Sequence, residues 1–145
     1  MTIITKETPV GQEFSGKPKK ITWERLWTFS GGPFAASGWP KKNIHTDIDF
    51  AKNAGLPTAC ASGTQYQGYV IQLLIDLFGE EWLKNGKMNV KFIKLVPEGD
   101  TLIAKAKVQS KEEDGSAVKY TLDIWCENQN GDKVLVGTAS GLVKK

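Results

Sequence analysis

The chain has 145 residues, 40% of them apolar and 24% charged, with a formal net charge of +3. That length suits one domain, 1–145, with one core, and the apolar content excludes a disordered chain. The slight positive charge is spread in pairs at Lys19–Lys20, Lys41–Lys42 and Lys144–Lys145. It argues against nucleic acid, whose binders gather charge on one face, and remains compatible with a small anionic ligand.

Met1–Gln12 mixes charges and has no apolar stretch of the secretory kind, so no signal peptide is expected there. Pro9–Phe14 reads as a short strand closed by Ser15–Gly16. Thr22 is placed to cap a short helix over Trp23–Phe29, which Ser30–Gly31–Gly32–Pro33 stops. Pro33–Ile44 is a loop rich in Gly, Pro, Ser and Trp, the kind of segment on which function concentrates. Thr46 or Asp47 caps the next short helix, about Ile48–Asn53, with Gly55 as its left-handed stop and Pro57 barring continuation.

Thr64–Phe78 is the most informative helix. Gln65, Gly68, Gln72 and Asp76 share one narrow stripe, and apolar side chains cover the rest, which predicts burial on most sides. Gly79 ends it, and Trp82–Leu83 leads to a turn at Asn85–Gly86. Tyr69–Phe78 is the longest apolar stretch; Gln72 and Asp76 interrupt it and it is too short for a bilayer, so a cytoplasmic protein with no membrane partner is expected. Cys60 and Cys126 lie in apolar surroundings with no CxxC, and read as reduced core thiols, with no metal site.

After the helix the period changes to two. Met88, Val90 and Phe92 alternate with polar residues, as do Leu102–Val108 and Val118–Cys126, and a last strand spans Val134–Val143. Gly-bearing turns at 97–100, 113–116 and 130–132 separate them. This predicts an antiparallel meander of about four strands with one apolar face. One long buried helix and one meander give an α+β fold in which the sheet curls round the helix. The strand at Pro9–Phe14 joins the sheet edge, and a second subunit covers whatever face of the helix is left.

Two features converge at the start of that helix. One is Asn43–Ile44–His45–Thr46–Asp47, which holds the only histidine; the other is Ala61–Ser62–Gly63–Thr64, the turn into the helix. Unpaired N–H groups at a helix N-terminus can polarise a carbonyl, and a glycine there lets a substrate approach closely. An imidazole can shuttle a proton at neutral pH, so the pair would suit proton transfer on a carbonyl compound. Blander roles exist for each: Ser62, Thr64 and Asp47 are natural helix caps, and Gly63 can serve tight packing alone.

At these residues the sequence resembles the MaoC-like acyl-thioester dehydratases, the (R)-specific enoyl-CoA hydratase group. The likeness runs over roughly residues 10–143. It is carried by Asn43–Ile44–His45–Thr46–Asp47 with Phe50–Ala51, the small residues before Gly63, and Pro97–Glu98–Gly99–Asp100–Thr101. The resemblance implies a hot-dog fold, a long helix wrapped by an antiparallel sheet and pairing into dimers. It also implies a hydratase or dehydratase of 2-enoyl or 3-hydroxyacyl thioesters. His45 matches the family's acid/base histidine, and Gly63 the glycine whose N–H holds the thioester oxygen.

The family's aspartate, five positions before the histidine, has no counterpart. Where the family reads Ser–Gly–Asp–x–Asn–Pro–x–His, this chain reads Ser37–Gly38–Trp39–Pro40–Lys41–Lys42–Asn43–Ile44–His45. Pro40 stands at the expected place and can neither give nor take a proton. Asp47 or Asp49 can supply the second carboxylate, His45 can act alone or with Asn43, or the chain is a non-catalytic acyl-binding or scaffold subunit of a heteromer. A thioesterase is the remaining choice on the same fold. Asn43, Ser62, Trp39 and Lys42 are candidate substrate contacts. No cofactor is expected beyond coenzyme A as part of the substrate, and the expected assembly is a homodimer, or a heteromer in the scaffold reading.

Overall fold

The computed structural model describes residues 3–39 and 41–144. The element that organises it is a helix of sixteen residues, Gly63–Phe78, labelled α3 in chain order. Tyr66, Val70, Leu73, Leu74, Leu77 and Phe78 of α3 are buried, as its apolar pattern predicts. Gly79 ends it at φ 62°, a left-handed turn that a glycine enters without strain.

Around α3 lie β1 (Glu13–Ser15), β2 (Lys19–Lys20), β3 (Lys87–Phe92), β4 (Thr101–Asp114), β5 (Ala117–Glu127) and β6 (Lys133–Lys144). All pair antiparallel, in the order β1-β4-β5-β6-β3, with β2 beside β1 on β4. Leu102, Ala104, Ala106 and Val108 of β4 and Tyr120, Leu122, Ile124 and Cys126 of β5 point inward, the period of two read from the sequence. They share one core with the buried face of α3.

Two expectations need correction. β4, β5 and β6 form a meander, but β3 pairs with β6 across the sheet rather than with its chain neighbour β4. The chain between β3 and β4 makes no tight hairpin. It crosses past residues 59–61 and bonds to them: Ala61 N–H donates to the Val96 carbonyl at 2.7 Å and Glu98 N–H to that of Ala59 at 2.9 Å. The first strand also starts later than Pro9, because Gly11 turns at φ 88° and only Glu13–Ser15 align on β4.

The shorter helices are α1 (Trp23–Phe29), α2 (Ile48–Asn53) and α4 (Glu80–Asn85), the last where the sequence suggested only a lead into a turn. Thr22 caps α1 through Arg25 N–H, and Asp47 caps α2 through Phe50 N–H. The Gly- and Pro-rich loop contains a 3₁₀ helix, Gly32–Ser37, in which Gly32 lies flat against Trp27: a Cβ there would stand 2.2 Å from the indole. The Tyr120 hydroxyl, wholly inside, reaches the carbonyls of Thr5, Lys6 and Thr8 at 2.9–3.2 Å and ties the N-terminal segment to β5. No helix among the described residues is long and apolar enough to cross a membrane.

Candidate functional site

The loop carrying His45 is built by its own side chains. Asn43 Oδ1 accepts from His45 N–H at 2.9 Å, and Thr46 Oγ1 accepts from Asn43 N–H at 3.1 Å. The Asn43 carbonyl takes the N–H groups of both Thr46 and Asp47. Such local bonding is what Asn and Thr do in turns, and it holds the backbone of residue 45 through bonds within residues 43–47. Asn43, a candidate substrate contact, is thus the organiser of this turn; its Nδ2 donates to the Lys41 carbonyl.

The imidazole is half-buried and turned toward the segment before α3. His45 Nδ1 lies 2.7 Å from the Cys60 carbonyl oxygen, and Cys60 N–H donates back to the Ile44 carbonyl at 3.1 Å. A carbonyl can only accept, so Nδ1 carries the proton in this bond. In the neutral ring Nε2 then holds the lone pair. Cys60 Sγ is 3.7 Å from Nδ1, but burial pushes its thiol above the ordinary range, so it stays protonated. Cys126 is buried deeper and is pushed up to about 12; both cysteines are free.

Three residues beyond Cys60, Gly63 opens α3. Ser62 stands at its N-cap position without capping it: its hydroxyl pairs with Thr64 Oγ1 at 2.9 Å instead. The Gln65 N–H bonds to the Ser62 carbonyl at 2.9 Å, but the cap side chain supplies no partner for the N–H groups of Gly63 and Thr64 before it. The Phe92 ring lies over Gly63, so a Cβ at position 63 would stand 2.9 Å from its Cε1. The Tyr66 ring meets Phe92 edge-on, with centroids 5.5 Å apart.

The remaining candidates are placed differently. Asp47 is engaged twice, by Phe50 N–H at 2.7 Å and by Lys42 Nζ at 3.1 Å, and these two contacts, the backbone bond first, hold its carboxyl below the usual range. Asp49 is exposed in the first turn of α2. Trp39 projects into solvent at 72% exposure. Pro40 lies outside the described residues. Among the described residues, the ring nitrogen bond of His45 goes to Cys60 and not to a carboxylate. No cluster of three or more His, Cys, Asp or Glu side chains forms among them either.

Three participants escaped the sequence reading. The Cys60 carbonyl orients His45, yet a main-chain oxygen leaves no trace in residue type. Phe92 read only as an inward strand residue, although its position before the crossing segment sets it over Gly63. Gln65 belonged to the polar stripe of α3, but it is buried at 4% exposure while Gly68, Gln72 and Asp76 are exposed.

The family model described as the MaoC like domain matches residues 6–127. No curated protein matches the chain. Among solved structures, the chain is similar to the monoamine oxidase regulatory protein of Archaeoglobus fulgidus, at 25% identity over 99% of this chain and 95% of that one, with a TM-score of 0.73. It is also similar to the R-hydratase PhaJ1 of Pseudomonas aeruginosa, at 20% identity, 96% and 84% coverage and a TM-score of 0.75. A third likeness is to the HadBC (3R-hydroxyacyl-ACP dehydratase) complex of Mycobacterium tuberculosis, at 17% identity, 94% and 98% coverage and a TM-score of 0.66. The buried helix, the sheet round it and the family match agree: the chain has the hot-dog fold and belongs to the MaoC-like dehydratase domain family.

Proposed function

We propose that this chain adds water to a 2-enoyl thioester or removes it from a 3-hydroxyacyl thioester, with His45 as the acid/base and the Gly63 N–H polarising the thioester carbonyl. One observation carries the reading: Nδ1 of His45 is committed to the Cys60 carbonyl, which leaves Nε2 as the proton-accepting edge. The uncapped start of α3 supports the second role, because charge developing on the thioester oxygen would meet unpaired N–H groups at the positive end of a helix.

Asp47 is already held by its cap bond and by Lys42, so we assign the proton to His45 alone. In dehydration Nε2 takes the proton from C2, and the electron pair moves toward the carbonyl at Gly63. As the C3–O bond breaks, the same imidazolium returns that proton to the leaving hydroxyl, giving water and the C2–C3 double bond. Hydration runs these steps in reverse. Coenzyme A is the carrier that suits the mild positive charge, and two buried reduced thiols suit the cytoplasm.

A second reading rests on the sequence departure at Pro40: the chain binds the acyl thioester as one subunit of a heteromer whose other subunit brings the aspartate. The likeness to a two-subunit dehydratase complex supports it. In either reading a second subunit covers the exposed apolar side chains Phe50, Phe92, Ile93 and Leu95 beside the site.

Purified protein mixed with a 2-enoyl-CoA should lower the absorbance of the conjugated thioester, and His45→Ala should slow this by about 10²–10⁴. Unchanged activity in that variant overturns the assignment. Release of free thiol identifies a thioesterase instead. Silence in both assays, with a second subunit co-purifying, identifies the heteromer.

A further inference from the structure

A glycine at a helix start can be required by a substrate that passes close to its backbone or by a side chain of the protein that lies on it. At Gly63 the side chain is in place. Phe92, the last residue of β3, lays its ring across the flank on which any other residue at 63 would carry a Cβ. That Cβ would stand 2.9 Å from Cε1, 3.1 Å from Cδ1 and 3.2 Å from Cζ, three atoms along one edge of the ring. Carbon atoms pack at about 3.5–4.0 Å, so position 63 must be glycine for as long as the ring stays there.

The ring is held from two sides. Phe92 pairs with Leu135 of β6, which fixes its backbone. Tyr66, one turn along α3 and buried, meets the ring edge-on at 85°, a favoured geometry for an aromatic pair. The Tyr66 hydroxyl lies 3.5 Å from the Lys94 carbonyl, two residues beyond Phe92. The first turn of α3 is thus tied to the end of β3 at positions 63 and 66. The Gly63 N–H points another way, along the helix axis and out of its N-terminus, whereas a Cβ projects from the side. The ring therefore closes the flank of Gly63 and leaves the helix end open. There the Ser62 carbonyl already takes the Gln65 N–H, which leaves the donors of Gly63 and Thr64.

We propose that Phe92 is a positioning residue for the Gly63 N–H, and that the glycine serves this ring and not the passage of substrate. Resting on the thioester reading above, the carbonyl oxygen reaches the N–H from the open end of α3, past the edge of the ring. A donor that stabilises developing charge must point at the oxygen beforehand, and a small misplacement removes much of its effect. A methyl at 63 would force either the ring or the helix to move. The ring gives way, because it is 44% exposed while Tyr66, Val70 and Leu73 anchor α3 in the core.

Two measurements test this. The first is a double-substitution cycle on the hydration of a 2-enoyl-CoA. Phe92→Ala should lower kcat about tenfold or more and leave KM within about twofold, since the interaction weakened is one made mainly in the transition state. Gly63→Ala should cost a similar factor by evicting the ring, yet added to Phe92→Ala it should cost less than about twofold more. Losses that multiply overturn the proposal, because a substrate that needs the space beside Gly63 would meet the methyl with or without the ring. A Phe92→Ala protein with the wild-type kcat overturns it too. Should Phe92→Ala not fold, Phe92→Thr, small and suited to a strand, takes its place.

The second measurement makes no demand on catalysis. In protein carrying isotope-labelled glycine, the Gly63 amide is the nuclear magnetic resonance signal missing from Gly63→Ala. A saturated acyl-CoA thioester, which cannot be hydrated, should shift that signal in the wild type and shift it less in Phe92→Ala at saturation. Equal shifts in the two proteins, or none in the wild type, overturn the proposal. A protein that hydrates enoyl-CoA but shows multiplying losses refutes the positioning role alone. A ligand shift at Gly63 that depends on Phe92, in a protein that hydrates nothing, refutes the catalytic reading alone.

Discussion

In the wall made by β4, β5 and β6, Leu102, Ala106, Leu122 and Ile124 lie in one core with Leu74 and Leu77 of α3 and show at most 1% exposure. Residues 41–50, the chain around His45, are half-buried or exposed, and that chain is held by Asn43 Oδ1, the Asn43 carbonyl and the bond from Cys60 N–H to the Ile44 carbonyl. The wall is stabilised by area removed from water, which is large and insensitive to direction. The His45 loop is held by a few bonds that are individually weak but strongly directional. A scaffold needs the first kind of force; a proton-transfer group, which must point one way, needs the second.

The comparison can be broken by substitutions on either side. The largest expected loss of stability is in the wall: Leu74→Ala, at a site with no exposure, should cost about 2–5 kcal/mol in urea unfolding. Its folded fraction should keep near wild-type activity; a large loss of activity per folded molecule would show that the two regions are not separable. Asn43→Ala should cost only about 1 kcal/mol, the worth of its bond to His45 N–H, yet lower the hydration rate well beyond what that stability change explains. Unfolding and rate measured on the same preparation decide it.

The smallest effect is electrostatic. Phe50 N–H and then Lys42 depress the Asp47 carboxyl, so its charge stabilises the folded chain above the ordinary aspartate range, near pH 4, and this is lost as pH falls through the lower folded value. Asp47→Asn keeps the cap oxygen and removes the charge. Its thermal midpoint should therefore fall below wild type at pH 7, and the gap should narrow at pH 3. A gap that widens on acidification would show that the charge does not act through the folded state.

How much of this was legible follows from the same division of forces. α3 and the long strands could be read because one-sided burial writes a period of 3.6 or 2 into the residue types. β2, two residues long, carries no period, and neither does the 3₁₀ helix at Gly32–Ser37. The pairing of β3 with β6 depends on where 93–100 cross, which bonds to 59–61 decide and strand composition does not. Within the site, His45 and Gly63 stood out by residue type and by family resemblance. Phe92 and Gln65 did not, since an aromatic in a strand and an amide in a polar stripe have ordinary explanations.

The double link of Cys60 to Ile44 and His45 sets what substitution can do at position 60. The carbonyl that receives His45 Nδ1 is present in every amino acid, and so is the N–H that returns to Ile44 in all but proline. Serine or alanine, small enough for that buried place, would leave the imidazole aimed as it is, whereas proline would unfasten one half of the clasp. A lineage of such chains could therefore drift in residue type at 60 while the histidine kept its bearing, and a comparison of side chains alone would pass over the position that aims it.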